Sequence, residues 1–383
     1  MATSFVLRVP GEVLFGPGVA AERLPDLVAA RGRRCLVFAG GSARRYAGLL
    51  SGLGGEVDVR GVTGEPTVDV VRSELRHARE FGPDIVVGVG GGSVIDVAKA
   101  VGALLGQDAP PETYLEVVGE GRAVEAPGVP VIAVPTTAGA GSEATANAVL
   151  AVPSHGVKVS VRGPAVLPAV ALVDPALTLT CPPAVTAASG LDALTQCLEP
   201  LVSVFANPLS DGYAREGLRR AGRSLRRAHG AGEDLAARCD MSLAATFGGI
   251  ALANAKLGAV HGIAGVLGGV LAAPHGAICA RLLGPVVARN LTALHARRPD
   301  SPAVARYAEA AGLVLGRPAE PADLVTWIEE TVRQLEVPRL TAMGWTPEKT
   351  TEVVAAAQRS SSMRGNPLPL TDAEVTTVLE LAA

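Results

Sequence analysis

An aspartate and a glutamine stand four residues apart in GLDALTQCLEP, residues 190–200, a stretch with the apolar spacing of a helix. Residues i and i+4 share one face of a helix, so Asp192 and Gln196 could both be directed at one cation. A carboxylate suits a divalent metal, whereas a neutral amide oxygen is a weaker ligand than imidazole. The pair is either half of a metal site with an unusual ligand or a buried turn of helix.

A glycine-rich turn lies in GVGGGSVIDVAKA, residues 88–100. A strand is predicted to end in Gly90–Gly92, and a helix to begin at Ser93, whose hydroxyl could cap it. Glycines let the backbone approach an anion closely, and the N–H groups and dipole of a helix start favour a phosphate. The GxGxxG pattern is not met, because Ser93 stands where its last glycine would be. Taken alone, the turn either binds a phosphate or serves only tight packing.

A second turn, VPTTAGAGSEATAN at residues 134–147, also follows a predicted strand and is rich in glycine and small hydroxyl residues. Such residues suit a wall against a nucleotide ring and ribose, although a surface loop uses them too. Ligands of open α/β sheets bind at the carboxyl ends of the strands. Two such turns after two successive strands therefore predict a nucleotide site at that edge.

The elements that must position these residues differ between the two halves of the chain. Short β-branched runs alternate with helical patterns in the first half, which predicts a parallel sheet with crossover helices. The predicted strands are residues 33–40, 56–62, 84–90 and 129–136, with helices near 67–80 and 93–105. Beyond Pro182 we predict only helices, at residues 183–203, 209–228, 232–255, 303–315 and 322–335. We therefore predict an α/β dinucleotide-binding domain over residues 1–178 and an all-helical metal and substrate domain over 179–383.

Composition narrows the class of protein. A chain of 383 residues with 48% hydrophobic content can bury a large core. A net charge of −3 without long runs of one sign argues against nucleic acid or an anionic membrane as the main partner. The N-terminus lacks the apolar region of a signal peptide, and the longest apolar runs contain Gly, Pro or a charge before they could span a bilayer, so we expect a cytoplasmic protein. We interpret the five scattered cysteines as reduced core residues: Cys35, Cys181, Cys197, Cys239 and Cys279.

Five motifs in order resemble the iron-containing (group III) alcohol dehydrogenase family, which includes the maleylacetate reductases. They are GGGSVIDVAKA, PTTAGAGSEAT, GLDALTQCLEP, VHGIAGVLGGVLAAPHG and NPLPLT, and the resemblance runs from LFGPG at residues 14–18 to the C-terminus. It implies a Rossmann-like nucleotide-binding α/β domain followed by an all-helical domain, the architecture shared with dehydroquinate synthase. It also implies NAD(P) and a divalent metal, Fe²⁺ or Zn²⁺, in the cleft between the domains.

The resemblance also assigns nucleotide-binding roles. Lys158, in GVKVSVRG, matches a lysine that approaches the nicotinamide ribose; without the resemblance, a solvated charge at a strand end would be the default interpretation. The other matching residues are Gly90, Gly91, Gly92, Ser93 and Asp96 in the pyrophosphate turn, and Thr136, Thr137 and Ser142 in the second loop.

The end of the first predicted strand bears on the choice between NADH and NADPH. A carboxylate at this place holds the ribose 2′-hydroxyl and repels a 2′-phosphate, but the sequence has Gly40 and Gly41 here. Ser42, Arg44 and Arg45 offer donors for a phosphate, although the arginines could equally be a solvated helix start. We expect NADP(H) to be preferred over NAD(H), with Gly40, Gly41 and Ser42 near the ribose.

The resemblance implies four metal ligands: an Asp, a His four residues later, and two further His fourteen residues apart. Asp192, His261 and His275 match three of them and are the predicted catalytic residues, but Gln196 replaces the second. The three matching residues could hold the ion alone, with one open position, or Gln196 could complete the site through its carbonyl oxygen. In a third outcome the site is metal-free, and Gln196 and the histidines polarise the substrate by hydrogen bonds.

The predicted reaction is reversible hydride transfer between NAD(P)H and an aldehyde or ketone, with the developing alkoxide stabilised at this cluster. At Gly265 the family often has a histidine suited to proton relay, so here water, a ribose hydroxyl or another side chain would deliver the proton. The alternatives are metal-independent reduction of an oxoacid, a dehydroquinate-synthase-like lyase, and a nucleotide-binding protein that has lost catalysis. The expected partners are a small-molecule substrate and a second copy of the chain.

Overall fold

The computed structural model describes residues 4–41, 43–126, 128–271 and 273–383. The strands of its first half are β1 (Glu12–Phe15), β2 (Arg34–Gly40), β3 (Glu56–Val62), β4 (Ile85–Gly90), β5 (Val131–Pro135), β6 (Asn147–Val152), β7 (Val157–Arg162) and β8 (Val170–Val173). Six of them form a parallel sheet in the order β1-β8-β5-β4-β2-β3, and β6 and β7 form a separate antiparallel hairpin. The helices of this half are α1 (Val19–Ala29), α2 (Ala47–Leu50), α3 (Val68–Phe81) and α4 (Gly92–Leu104).

The sheet is covered on both faces, which explains the nearly continuous apolar sequences of β2, β4 and β5. Successive side chains of a strand point to opposite faces. Cys35 and Val37 of β2 accordingly join the cluster formed with α1, while Leu36 and Phe38 join the cluster formed with α3 and α4. The carboxyl ends of the parallel strands therefore lie along one edge of a rigid, doubly covered sheet.

Beyond residue 180 the described residues contain helices and no strand. Several helices begin with proline in the first turn, where its missing N–H costs no helical hydrogen bond. The helices are α5 (Pro183–Val202), α6 (Pro208–Gly230), α7 (Leu235–Ala255), α8 (Ala259–Val270), α9 (His275–Arg297), α10 (Pro302–Leu315), α11 (Pro321–Gln334), α12 (Thr350–Arg359) and α13 (Asp372–Ala382). One continuous apolar cluster holds them together.

The predicted fold class is confirmed, and the four predicted strands coincide with β2 to β5 within two residues at each end. Strands β1, β6, β7 and β8 were not predicted. The chain divides into two compact units, residues 8–137 with 141–179, and residues 180–383 with the short segments 4–7 and 138–140.

Two helices, α7 and α9, are long and apolar enough to cross a membrane. Their most apolar 18-residue windows are 67% and 72% buried inside the structure, as in core helices of a globular unit. We therefore interpret both as core helices.

Candidate metal and nucleotide sites

Helix α5 carries three polar side chains along one buried face. Asp192, Gln196 and Glu199 follow the spacing i, i+4, i+7, which aligns them over two turns. Their residues are only 4%, 3% and 5% exposed. Polar groups this deep in a helical core require partners, so this face must be matched by polar groups on neighbouring helices.

Two histidines at the starts of α8 and α9 supply those partners. His261 lies in the first turn of α8, and His275 is the first residue of α9. Glycines let both helix starts approach α5 closely: a Cβ on Gly258 would come 2.9 Å from Glu199 Oε1, and one on Gly276 would come 2.5 Å from the Ala188 carbonyl oxygen. The local sequence around each histidine therefore fixes its place beside α5.

The resulting cluster is compact. Asp192 Oδ1 lies 3.4 Å from His261 Nε2, and the Gln196 amide donates a 2.9 Å hydrogen bond to Asp192 Oδ2. On α9, Cys279 Sγ lies 3.4 Å from His275 Nε2. One ligand atom from each of Asp192, His261, His275 and Cys279 lies within 4.8 Å of the other three. The structure thus brings the four predicted residues together and adds a cysteine.

Glu199 fixes the orientation of His261. Its Oε2 lies 2.6 Å from His261 Nδ1, and its Oε1 accepts a 2.7 Å hydrogen bond from the Val260 N–H. A carboxylate that accepts from Nδ1 holds the proton there and leaves Nε2 facing the cluster. Glu199 is therefore a positioning residue for His261.

A buried amide network supports the start of α8. Asn366, from NPLPLT, accepts a 3.2 Å hydrogen bond from the Ala259 N–H and exchanges two hydrogen bonds with Asn290. Asn290 also donates to the hydroxyl of Tyr307. This network gives the C-terminal motif a physical role, since it anchors the turn that carries His261.

The electrostatics of the cluster favour a cation. Burial tends to raise the pKa of Asp192, but the two histidines and the Gln196 amide outweigh it and the pKa is lowered. Burial tends to lower the pKa of His261, yet Cys279, Glu199 and Asp192 raise it well above its ordinary value. The nearby Cys279 sulfur is the main cause of a raised pKa at His275. The same negative surroundings would stabilise a divalent ion in place of the protons.

The donor set fits a divalent metal. Asp192 Oδ1, Gln196 Oε1 and His261 Nε2 are buried and have no hydrogen-bond partner among the described residues. An unpaired buried polar atom is costly, and an ion at the centre of the cluster would satisfy such atoms. Carboxylate, imidazole and thiolate are all common zinc ligands.

Replacing Glu199 by Gln is expected to weaken divalent metal binding by about 10–100-fold, the usual effect of losing the partner of a ligating histidine. The amide cannot accept from both the His261 ring and the Val260 N–H, so the imidazole loses its orientation. Competition with a chromophoric chelator measures the change. The exposed Glu233→Gln is the control and should bind metal as the native chain does; native affinity in Glu199→Gln would contradict the assigned role.

Sequence reasoning missed both Glu199 and Cys279. The i+7 spacing from Asp192 could have pointed to Glu199, and the i+4 spacing from His275 could have pointed to Cys279. Cys279 was interpreted as an ordinary core residue, and it is buried, but its sulfur lies in the cluster.

The glycine-rich turn joins β4 to α4, and one prediction about it is wrong. The helix begins at Gly92 with Gly91 as N-cap, and no side chain of the described residues caps it, so the Ser93 hydroxyl does not have that role. A Cβ on Gly90 would come 2.5 Å from Val94 Cγ2, so this glycine is needed for packing of strand on helix. A helix start without a side-chain cap leaves its first backbone N–H groups free to donate hydrogen bonds to an anion.

The second loop lies beside the first. β4 and β5 are adjacent, and the Thr137 side chain is close to Gly91, 3.4 Å from the place of an added Cβ. Thr136, which begins this loop, donates its N–H to the Gly90 carbonyl at 2.9 Å. The two turns are therefore neighbours at the edge of the parallel sheet, and nucleotide binding there stays a prediction.

The carboxylate of Asp96 accepts hydrogen bonds from other residues of the α/β unit. It accepts from the Ser142 hydroxyl at 3.0 Å and from the Val149 N–H at 3.1 Å. Lys99, fully buried, donates to the Ser142 carbonyl and the Thr145 hydroxyl, both at 2.8 Å. Burial lowers the pKa of Lys99 to about 8, against the opposing effect of Asp96, so the ammonium remains largely charged at neutral pH. Asp96 and Lys99 thus fix the second loop to α4.

The other predicted nucleotide contacts lie elsewhere in this unit. Gly40 ends β2 and Gly41 follows it, and neither brings a carboxylate to this place. Ser42 and the side chain of Arg44 lie outside the described residues. Lys158, in β7, forms a 3.0 Å ion pair with the exposed Glu65; its contact with a nicotinamide ribose stays a prediction.

Comparison with known proteins decides the family. Residues 10–175 match the family described as iron-containing alcohol dehydrogenase, and residues 186–383 match its C-terminal domain. The chain belongs to this family. It is therefore an NAD(P)-dependent oxidoreductase that interconverts alcohols and carbonyl compounds, and the family uses NAD(P) with iron or another divalent metal.

Individual relatives agree with this assignment. Long-chain-alcohol dehydrogenase 1 of Geobacillus thermodenitrificans is 36% identical over 326 residues, 84% of this chain and 80% of that protein. The iron-containing alcohol dehydrogenase of Thermococcus thioreducens superposes with a TM-score of 0.87 at 30% identity over 99% of both chains. Sulfoacetaldehyde reductase of Bifidobacterium kashiwanohense, solved with NAD⁺, superposes with a TM-score of 0.84 at 27% identity over 100% of this chain and 99% of that one.

Proposed function

We propose that this alcohol dehydrogenase reduces an aldehyde or ketone at a divalent ion held by Asp192, His261 and His275. The observation that supports it is the convergence of these ligand atoms and the Cys279 sulfur within 4.8 Å of one another, with Asp192 Oδ1 and His261 Nε2 buried and unpartnered among the described residues. When bound, the ion polarises the carbonyl oxygen and stabilises the alkoxide. The chain keeps those donors dry, oriented and close together, which makes them effective on a developing charge.

The α/β unit would bind the dinucleotide. We assign the pyrophosphate to the start of α4 at Gly91, Gly92 and Ser93, where backbone N–H groups face an anion. Thr136, Thr137 and Ser142 would form the neighbouring wall, and Lys158 would approach the ribose of the nicotinamide. Because Gly40 and Gly41 leave no carboxylate to repel a 2′-phosphate, we propose NADPH as the preferred reductant.

Activity assays with a panel of carbonyl compounds test this function. Purified enzyme should oxidise NADPH, and NADH more slowly, with at least one aldehyde, ketone or oxoacid, and the alcohol product should support the reverse reaction. Failure to bind either nicotinamide cofactor would overturn the proposal. Cofactor binding without turnover on any carbonyl would instead favour a protein that has lost catalysis.

Gly265 leaves room for a proton donor. Apart from its chain neighbours and the backbone of α8, no atom of the described residues lies within 4 Å of a Cβ placed there. Gly265→His should therefore fold normally and raise kcat for carbonyl reduction by up to about 10²-fold, the low end of what a positioned acid contributes. Steady-state rates across pH measure it, with Gly265→Ala as the matched control. Equal rates in both variants would show that proton delivery at this position does not limit turnover.

We also propose a homodimer in the cytoplasm. Two-fold homodimers are the commonest oligomers of soluble enzymes, and the charge balance suits a protein without a nucleic-acid partner. Sedimentation equilibrium of the purified chain tests the dimer directly.

A further inference from the structure

Cys279 differs from the other cysteines of the chain in its surroundings. It lies one turn after His275 on α9, is fully buried, and is the one cysteine in the described residues that belongs to a cluster of possible metal ligands. Cys35 lies in the apolar core between the sheet and α1, and Cys197 lies against the Ala244 carbonyl. A thiol placed among two imidazoles and a carboxylate is in position to coordinate an ion.

Two distances between these ligand atoms match coordination of a shared ion. Carboxylate and imidazole ligands bind zinc at about 2.1 Å and thiolate at about 2.3 Å, so tetrahedral geometry separates O from N by about 3.4 Å and S from N by about 3.6 Å. The structure has 3.4 Å between Asp192 Oδ1 and His261 Nε2 and 3.4 Å between Cys279 Sγ and His275 Nε2. Both pairs already have the separation that a shared ion requires.

Gln196 interacts with the cluster through a hydrogen bond to Asp192. Its amide nitrogen donates to Asp192 Oδ2, which turns the other carboxylate oxygen, Oδ1, towards His261. Its Oε1 has no hydrogen-bond partner among the described residues, but a neutral amide oxygen is a weaker metal ligand than a thiolate for a borderline-soft ion. The hydrogen bond gives Gln196 a positioning role that does not require it to coordinate metal.

An alternative is that Cys279 merely packs in the core and donates a weak S–H hydrogen bond to His275. That arrangement would leave Asp192 Oδ1 and His261 Nε2 buried 3.4 Å apart, with no hydrogen bond to either atom in the described part of the chain. Unpaired groups of this kind are costly, and a shared ion satisfies both atoms together.

We propose that Cys279 is the fourth metal ligand of this enzyme and that Gln196 is a positioning residue, so that the site is Asp192, His261, His275 and Cys279. Binding forms one metal–sulfur bond, and the thiol proton leaves to solvent. Thiolate ligation favours zinc over Fe²⁺, which prefers nitrogen and oxygen donors. This inference rests on the proposed function, because it names a ligand of the same ion.

Cobalt substitution tests the sulfur ligand without relying on activity. Metal-free enzyme titrated with Co²⁺ should develop the intense near-ultraviolet absorption of a thiolate–cobalt bond. Cys279→Ala and Cys279→Ser should lose that absorption, whereas Gln196→Ala and the half-buried Cys239→Ser should keep it. The Ser variant is nearly isosteric, so its spectrum remains informative if the Ala variant folds poorly.

Zinc affinity separates the two candidate ligands. Cys279→Ala should bind zinc more than about 100-fold more weakly, and Gln196→Ala about 10–100-fold more weakly, as expected for a ligand and for a partner of a ligand. If cobalt binds without the sulfur absorption and Cys279→Ala keeps native affinity, this inference is overturned while the metal-assisted function stands. If the native chain binds no divalent ion, both are overturned.

Discussion

Replacing Asp192 by Asn should lower kcat/KM for carbonyl reduction by at least about 10³-fold and abolish tight metal binding. Loss of one preorganised group that faces a developing oxyanion lowers kcat by about 10²–10³-fold. Here the ion would be lost as well, and with it several kcal/mol of stabilisation of the transition-state charge. Asp192 is the one carboxylate among the four clustered residues, and the amide that replaces it is a neutral and weaker ligand. Steady-state kinetics and metal analysis of the same preparation measure both effects.

The control for this variant is Asp300→Asn, an exposed residue of the same unit, which should retain native kinetics. NADP(H) binding should be unchanged in Asp192→Asn, because the predicted nucleotide contacts come from the other unit. Native turnover in metal-free Asp192→Asn would show that the reaction does not depend on this carboxylate.

Replacing Lys99 by Met should destabilise the α/β unit by about 3–5 kcal/mol, the usual cost of removing one partner of a buried ion pair. Lys99 has a fully buried side chain, lies 3.7 Å from Asp96, and donates hydrogen bonds to the second nucleotide loop. Met keeps the length of the side chain but removes every donor. The loop should loosen, so the Kd for NADP⁺ should rise together with the loss of stability.

Hydrogen exchange of peptides from β4 and α4 is the suitable measurement for Lys99→Met. Both tryptophans, Trp327 and Trp345, belong to the helical unit, so tryptophan fluorescence would report on that unit and not on the α/β unit. The exposed pair of Arg122 and Glu120 supplies the control, since Arg122→Ala should leave the stability of the α/β unit close to that of the native chain. Native protection of α4 in Lys99→Met would contradict the assigned role.

The elements that could be predicted from the sequence are those whose burial requires a clear run of apolar residues. Strands β2 to β5 were predicted because a sheet covered on both faces requires continuous apolar runs. β1 and β8 have only four residues each and β1 is mostly exposed, so neither presents enough of a pattern to recognise. The hairpin of β6 and β7 is partly exposed, which also weakens its signal.

At the site, the resemblance identified Asp192, His261 and His275, and the structure brings their side chains together. Glu199 and Cys279 were missed because helical spacing alone does not show what a buried side chain contacts, and only distances in three dimensions place both beside the two histidines. The helix α4 begins one residue before the predicted start, and its N-cap is Gly91 and not Ser93, which is a good N-cap by type.

Metal removal and reconstitution of the native enzyme test the central claim most directly. Chelated enzyme, freed of chelator, should bind NADP(H) normally yet lose carbonyl reduction, and one equivalent of zinc or iron per chain should restore it. Undiminished turnover in enzyme shown by elemental analysis to be metal-free would contradict a metal-assisted reaction at Asp192, His261 and His275.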